Sequence, residues 1–421
     1  MSYYNRETAD KMRHFLEQDM PRYMDILYDM VGINSYTLNP SGINHLADYT
    51  ADIFQSLGFD DQRVPSTDCS YGNHLVLGRN GQKPITIGCV SHLDTVFSPE
   101  EEERNNFHWR IEGDRIYGPG MEDIKGGTVV MLMTLEALRH AAPELFAAVS
   151  WTLLLDASEE TDSVDFGELC KQRLGVSALG CLIFEAGIIR GADYYVVTSR
   201  KGRAEIRIAT EGKGAHSGVS HKKGASAILQ MADIIRKIES ITDYTQDLTV
   251  NIGRISGGSQ INRVPHFAEA HAEMRAFSPS IFEDALSKIL ALDGYSSVAS
   301  AAGGFSCRTS VELVRRVPAW PDNPGSRRLH SFWESAGELL GLSVHLEKRG
   351  GLSDGNYFWE YMPTIDGLGP SGGNPHCSEH ADDGSKEQEF ALRSSFVPKS
   401  VLNAMAIIKM IESASPAQEE G

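Results

Sequence analysis

Residues 149–160 read VSWTLLLDASEE, an apolar segment that ends in two adjacent glutamates, Glu159 and Glu160. A short apolar run of this kind predicts a buried strand. Two further segments, residues 85–90 and 181–184, are also short and apolar, and histidine or acidic residues follow each of them directly. Ligands of open α/β sheets collect at the carboxyl ends of the strands. The three segments therefore predict a sheet with a functional site along one edge.

The rest of the chain predicts two domains. A length of 421 residues exceeds what one compact core usually holds. Short apolar segments alternate with helical ones over most of the chain, which predicts an α/β fold with a mixed sheet and helices on both faces. From about residue 200 the pattern changes to strand, helix, strand, strand, helix, strand. We therefore expect an inserted domain at 200–317 within a first domain formed by 1–199 and 318–421.

Composition excludes several functional classes. No apolar run approaches the roughly 18 residues of a membrane span, so no membrane association is expected. The net charge of −18 opposes extended contact with nucleic acid or an anionic membrane. Six cysteines without a CxxC pair indicate reduced thiols. Residues 1–20 lack the apolar core of a signal peptide, and we expect a cytoplasmic protein.

Two motifs combine histidine and aspartate with glycine-rich or strand-end positions. In SHLDTVF, His92 and Asp94 are two residues apart beyond a predicted strand, so that Asp94 can accept the second ring hydrogen of a metal-bound His92. Alone, this pair is better explained as an ordinary loop histidine. In GPGMEDIKGG, Asp123 precedes an amphipathic helix, and by itself this position is better explained as a helix N-cap, although a capping carboxylate can also face a metal.

The acidic strand ends are harder to explain without a cation. Glu159 and Glu160 follow a buried strand directly, and carboxylates at such a position are costly unless a positive charge receives them. The segment LIFEAG repeats the arrangement with Glu185. A third carboxylate of this kind makes a chance arrangement improbable.

A glycine-rich loop near the C-terminus, DGLGPSGGNPHCSEH, adds a second histidine. The chain then offers two imidazoles and three carboxylates, namely His92, His376, Asp123, Glu160 and Glu185. Mixed nitrogen and oxygen ligands suit zinc, with cobalt or manganese as substitutes. This inventory favours a carboxylate-bridged pair of metals over a single structural zinc.

The ordered motifs SHLDTV, GPGMEDIKGG, ASEE, FEAG, GKGAHSG, GGSQINRVP and GLGPSGGNPH cover nearly the whole chain. In this order they resemble the zinc-dependent exopeptidase and deacylase family of bacterial glutamate carboxypeptidase, acetylornithine deacetylase, succinyl-diaminopimelate desuccinylase, aminoacylase-1 and related dipeptidases. The resemblance implies an α/β fold with a mixed-sheet di-zinc catalytic domain. It also implies an inserted α+β lid and dimerisation domain, with a ferredoxin-like four-stranded sheet and two helices.

By the same resemblance, Asp123 bridges two zinc ions. His92 and Glu185 complete one metal position, and Glu160 and His376 complete the other. The adjacent Glu159 looks like the general base that takes a proton from the attacking water. Asp94 would orient His92.

In the insert, three residues match those that hold the oxyanion and the substrate carboxylate in relatives: His216, Asn262 and Arg275. The resemblance further implies a homodimer formed through the lid domain, in which His216 reaches the partner subunit's site. Several relatives carry a glutamate four residues beyond the last histidine. Here that place is His380, preceded by Glu379, and the meaning of the change stays open.

The substrate expected from the resemblance is a small peptide or N-acyl amino acid. A glutamate at position 185 is similar to the carboxypeptidase and deacylase branches, which favours a free α-carboxylate held by Arg275. A glutamate-type carboxypeptidase leads, with an N-acyl amino acid deacylase or a dipeptidase as the alternative. A metal-free, catalytically inactive interaction or regulatory dimer is the alternative from another class.

Overall fold

The computed structural model describes residues 2–161 and 163–414. These residues form ten α-helices, α1 to α10 in chain order: Arg6–Gly32, Pro40–Gln55, Pro99–Arg104, Gly126–Ala141, Pro143–Ala148, Val164–Leu174, Ala227–Glu239, Pro279–Leu290, Pro324–Leu340 and Phe396–Ala414. The same residues form seventeen strands, β1 to β17 in chain order: Asp60–Pro65, Asn73–Arg79, Thr86–His92, Arg110–Glu112, Arg115–Tyr117, Ser150–Asp156, Gly180–Ile183, Ile188–Arg190, Asp193–Arg200, Gly202–Glu211, Thr249–Gly257, Phe267–Ala276, Arg308–Val317, Ser343–Arg349, Thr364–Ile365, Gly372–Gly373 and Phe390–Leu392.

The chain divides into two compact units. Unit 1 comprises the chain up to Thr198, Asp322–Lys348 and the chain from Ser353. Unit 2 comprises Ser199–Pro321 together with the short segment Arg349–Leu352.

Unit 1 contains a six-stranded sheet in the order β1, β2, β6, β3, β7, β15. Strands β6, β3, β7 and β15 run parallel to one another, whereas β2 pairs antiparallel with both β1 and β6. Strand β3 is buried except at its first residue and β7 is buried throughout, as expected for parallel strands covered on both faces. This mixed α/β architecture confirms the predicted fold class. It also brings the carboxyl ends of β3, β6 and β7 to one edge of the sheet.

A glycine lets helix α4 approach that edge. A Cβ atom at Gly127 would lie 1.9 Å from the carbonyl oxygen of Phe184, immediately after β7. Only glycine permits this approach without moving the backbone. The beginning of α4, and the turn that precedes it, are thereby held against the end of β7.

Unit 2 contains a four-stranded antiparallel sheet in the order β11, β12, β10, β13. Helices α7 and α8 occur after the first and third of its strands, so the unit reads strand, helix, strand, strand, helix, strand. Burial alternates along β10 and β12, and the buried side chains pack with those of α7 and α8, including Met231, Ile234 and Phe282. The predicted ferredoxin-like arrangement is confirmed.

Within residues 2–161 and 163–414, no helix combines the length and the apolar character that a membrane crossing requires.

Candidate metal centre

The predicted ligands of unit 1 meet at the carboxyl edge of the six-stranded sheet. His92 is the last residue of β3, and Glu185 lies two residues beyond β7. Glu160 lies in a short 3₁₀ turn after β6, and Asp123 lies in the turn before α4. His376 comes from the loop between β16 and β17. Five separate connections therefore supply this cluster.

Asp123 stands between two groups of side chains. Its Oδ1 atom is 2.9 Å from Nε2 of His92, which is in turn 3.6 Å from Oε1 of Glu185. Its Oδ2 atom is 3.4 Å from Nε2 of His376, which is 3.2 Å from Oε2 of Glu160. The two oxygens of one carboxylate thus face two different imidazole–carboxylate pairs.

This donor set fits divalent metal ions. Ligand atoms of His92, Asp123 and Glu160 all lie within 4.8 Å of one another. Two ligands bonded to zinc at roughly 2.0–2.1 Å in a tetrahedron are themselves about 3.3 Å apart, close to the separations found here. In addition, the buried Oε1 atom of Glu160 has no hydrogen-bond donor among the described residues. A cation would satisfy that oxygen and offset the clustered carboxylates.

Asp94 contacts both His92 and the turn that carries the two glutamates. The nearest acceptor to Nδ1 of His92 is the backbone carbonyl of Asp94, at 2.9 Å, whereas its carboxylate is 3.5 Å away. That carboxylate accepts hydrogen bonds from the backbone N–H groups of Glu159 and Glu160, at 3.0 and 3.3 Å, and from the hydroxyl of Thr37. Asp94 therefore faces His92 with its main chain and its carboxylate, and the same carboxylate holds the turn of the two glutamates.

Glu159 lies beside the cluster with a carboxylate that makes no hydrogen bond to the described residues. Burial raises its pKa well above the usual range, and the nearby charges of Glu185 and Glu160 raise it further, while His92 opposes them. A carboxylate with no competing donor is suited to accept a proton once positive charge bound nearby favours its ionised form.

Without a bound metal, the pKa values of His92 and His376 are both raised. Hydrogen bonds to Asp123 and Glu160 raise the pKa of His376 to about 11. Burial opposes a charge on His92, but Asp123 and Asp94 outweigh it and raise its pKa as well. The clustered carboxylates therefore favour the binding of positive charge at the carboxyl edge of the six-stranded sheet. His376, with 52% of its side chain exposed, leaves the cluster open to solvent.

Glu389 is a site residue that the sequence analysis missed. It is fully buried, and its Oε1 atom accepts hydrogen bonds from the backbone N–H groups of Glu122 and Asp123, at 2.8 and 3.2 Å. It therefore holds the turn that presents Asp123. Its position just before β17, far along the chain from that turn, gives no signal in the sequence.

The two residues that departed from the expected pattern make local contacts. Glu379 forms an ion pair with Lys386, at 2.6 Å, and Nε2 of His380 lies 3.6 Å from a carboxylate oxygen of Asp382. Cys377 contacts the carbonyl of Glu379. These contacts stabilise the loop that follows His376.

Three further predicted residues lie in unit 2. His216 and Asn262 are exposed and occupy adjoining loops, where the N–H of Ser217 donates to the carbonyl of Asn262 at 2.9 Å. Arg275 is already engaged, because Nε and Nη2 donate to the carboxylate of Glu273 at 2.7 and 3.1 Å. Nη1 of Arg275 donates to the carbonyl of Gly350.

Arg263 is a second arginine in the same region of unit 2. It forms a β-bridge with His216, and its guanidinium lies over Gly214. Its side chain makes no ion pair or hydrogen bond within the described part of the chain. Arg263 directly follows Asn262 but carries no signal of its own in the sequence.

Comparisons with known proteins agree with this architecture. The family model described as peptidase dimerisation domain matches residues 198–292. The chain is 25% identical over 366 residues to carboxypeptidase G2 of Pseudomonas sp. (strain RS-16), covering 86% of this chain and 84% of that protein. An aminopeptidase PepT structure from Bacillus cereus ATCC 10987 superposes with a TM-score of 0.73 at 21% identity, covering 93% and 98% of the two chains. The YXEP protein of Bacillus subtilis, described as a dinuclear metal-binding peptidase from the M20 family, superposes with a TM-score of 0.62 at 11% identity, covering 94% and 99%.

The fold, the carboxylate-rich cluster and these relatives define the class as a metallopeptidase or amidohydrolase. The chain resembles carboxypeptidase G2 over most of its length, and its residues 198–292 match the peptidase dimerisation domain.

Proposed function

We propose that this protein is a co-catalytic di-zinc amidohydrolase that hydrolyses the amide bond of a small peptide or N-acyl amino acid. The observation that carries the proposal is the position of Asp123, whose two carboxylate oxygens face His92 and His376. A single structural metal would not need both oxygens to face separate ligand pairs. Cobalt or manganese could replace zinc at such a site.

Two metal positions share Asp123. His92 and Glu185 would hold one ion, and Glu160 and His376 the other. When bound, a metal pair supplies Lewis acidity that lowers the pKa of a water molecule and polarises an amide carbonyl.

The residues of the chain supply proton transfer and orientation. We assign Glu159 as the general base that accepts a proton from the attacking water and passes it to the departing amine. Its carboxylate, which accepts no hydrogen bond from the described residues and lies near His92, Asp123 and Glu160, supports this role. Asp94 supports Glu159 by accepting the hydrogen bond of its backbone N–H.

Substrate recognition is assigned to unit 2. We propose that His216 and Asn262 stabilise the oxyanion, and that an arginine binds a free carboxylate of the substrate. Arg275 is the arginine implied by the family resemblance, but its pairing with Glu273 favours Arg263 as a second candidate. The dimerisation-domain match supports a homodimer formed through this unit.

The proposed substrate class resembles that of a glutamate carboxypeptidase, in line with the similarity to carboxypeptidase G2. An N-acyl amino acid deacylase or a dipeptidase of the same family is the alternative, because the proposed roles of Arg275, His216 and Asn262 do not distinguish one acyl group from another. The clustered donor set argues against an inactive interaction or regulatory dimer. A cytoplasmic location remains a prediction from the sequence.

A hydrolysis screen tests the function. N-acyl amino acids, γ-glutamyl compounds and dipeptides are incubated with purified protein and zinc, cobalt or manganese, and amine release is measured. We expect hydrolysis that requires metal, and a loss of at least about 10³-fold in kcat for Glu159→Ala at unchanged metal content. Full activity of that variant would exclude Glu159 as the base. No metal binding and no hydrolysis by the wild type would favour the inactive dimer.

A further inference from the structure

A buried histidine, His74, contacts residues on both sides of the turn that carries Glu159 and Glu160. The residues between Asp156, at the end of β6, and Asp165, in the first turn of α6, include Glu159 and Glu160. Both aspartates contact the same imidazole, His74 of β2. Its Nδ1 is 3.0 Å from Oδ1 of Asp156, and its Nε2 is 3.3 Å from Oδ2 of Asp165.

This imidazole is part of unit 1's interior. His74 is 1% exposed and Asp156 is fully buried, while Asp165 keeps 21% of its side chain accessible. Burial opposes a charge on His74, but hydrogen bonds to Asp156 and Asp165 outweigh it and raise its pKa to about 9. The ring also lies 5.3 Å from the ring of Phe166, and the backbone N–H of Ala157 points at Nδ1 of His74, the nitrogen nearest Asp156, as a donor at 3.2 Å.

Each aspartate in turn holds part of the connection. Oδ1 of Asp156 accepts hydrogen bonds from the backbone N–H of Ser158 and the hydroxyl of Ser163, both at 2.9 Å. Oδ2 of Asp165 accepts from the backbone N–H of Thr67 at 2.7 Å. His74, in strand β2, therefore contacts both ends of the segment between Asp156 and Asp165.

We propose that His74 is a positioning residue that clamps the ends of the turn carrying Glu159 and Glu160. Through this clamp it sets the position of the base and of one ligand of the second metal position. The inference rests on the proposed function, since it assigns those two roles to the glutamates. His74 contacts neither glutamate side chain, and it is not a catalytic residue.

The experiment compares His74→Gln and Asp165→Asn with the wild type. Outer residues that orient metal ligands typically change activity or metal affinity by 10–100-fold, and we expect kcat to fall by about that factor while KM changes less than about threefold. Chelator competition with zinc should show that one of two metal equivalents binds about 10–100-fold more weakly while the other is unchanged. In the double variant the loss should not exceed the larger single loss, because both changes open the same clamp.

His330→Gln is the matched control. His330 is a buried histidine of α9, and its Nε2 has no partner among the described residues. This variant should lower thermal stability without altering kcat or either metal equivalent. If His74→Gln and Asp165→Asn behave in the same way, or leave both metal equivalents at wild-type affinity, the clamp is refuted.

The two hypotheses fail separately. If the wild type hydrolyses none of the screened substrates, the proposed function fails, while the metal competition still decides whether His74 positions Glu160. If His74→Gln does not fold, Asp165→Asn carries the test, because its side chain is partly exposed and the substitution keeps its size.

Discussion

Glu389 shows how one carboxyl group can determine the position of a metal ligand. Burial raises its pKa well above the usual range, and the charge of Asp123 adds to this effect. Its Oε1 atom accepts two backbone N–H groups, and its Oε2 atom has no partner among the described residues. A neutral side chain that keeps one carbonyl oxygen should therefore preserve most of its role.

We predict that Glu389→Ala weakens metal binding by about 10–100-fold, whereas Glu389→Gln loses less than about fivefold. Removing the acceptor leaves two buried N–H groups unpaired, and the turn that carries Asp123 can then move. Equilibrium zinc competition measures both values. Glu387→Gln is the control, because Glu387 precedes the same strand but accepts from Tyr117 and Asn374 at the surface. Equal losses in Glu389→Ala and Glu387→Gln would contradict a specific role.

The histidine ligands predict a proton count for metal binding. In the metal-free protein the pKa of His376 is about 11, so this imidazole is protonated at pH 8 and must lose its proton to bind a metal. Zinc affinity should therefore rise about tenfold per pH unit for each proton released, between about pH 6 and pH 9. Calorimetry in two buffers with different ionisation enthalpies measures the protons released. His376→Ala should release about one proton fewer, and an unchanged count would contradict the assignment.

Single site residues can be predicted from the sequence when they lie next to a recognisable strand or helix. His92, Asp123, Glu160 and Glu185 each adjoin a predicted strand or helix, and the structure brings them together. Glu389 and His74 gave no such signal, because their partners are backbone groups or aspartates far away in sequence. The carboxylate of Asp94 was expected beside His92, and it lies 3.5 Å from Nδ1 of that ring, but its hydrogen bonds from the backbone N–H groups of Glu159 and Glu160 were not predictable.

At the scale of elements, strand β12 and the loop after β11 each present an arginine. Arg275 extends from β12 and is held by Glu273, whereas Arg263 lies in the loop beside His216 with no ion pair in the described part of the chain. A substrate carboxylate would have to compete with Glu273 for Arg275, but not for Arg263. The sequence alone could not separate them, because the pairing depends on side-chain positions along one strand.

We predict that Arg263→Gln raises KM for an N-acyl amino acid by about tenfold or more, the typical value of a lost charged hydrogen bond. Arg275→Gln should have the smaller effect on KM. The control substrate is the same compound with its carboxylate converted to a carboxamide, for which both variants should resemble the wild type. If Arg275→Gln alone raises KM for the substrate with a free carboxylate, Arg275 binds that carboxylate, as the family resemblance implies, and Arg263 is not required.

The order of strands and helices could be predicted from the sequence better than the structure of the loops that connect them. Apolar runs predicted β3, β6 and β7, and the strand and helix pattern of unit 2 predicted its sheet. The segment after His376 was not predictable, since its hydrogen bonds join it to distant parts of unit 1. Ser378, for example, contacts Asn105 at 2.7 Å, and Gln388 donates to the carbonyls of Asn105 and Ser378.

At the scale of the whole molecule, the proposed base and metal ligands belong to unit 1, and the proposed oxyanion and carboxylate residues belong to unit 2. This division makes it possible to test whether His216 serves the site of its own subunit or that of the partner subunit. If the enzyme is a homodimer in which His216 serves the partner's site, a subunit with Glu159→Ala can donate a normal His216. A subunit with His216→Ala can supply a normal Glu159.

We predict that mixing these two inactive variants, after dissociation and reassociation, restores about a quarter of the wild-type activity. Random pairing makes about half of the dimers mixed, and symmetry gives each mixed dimer one complete site out of two. Each variant treated alone in the same way should stay inactive. Turnover measured against the mixing ratio should peak at equal amounts, and size-exclusion chromatography with light scattering should show a dimer throughout. No recovery in a proven mixed dimer would mean that His216 acts within its own subunit, because each mixed dimer would then hold only defective sites.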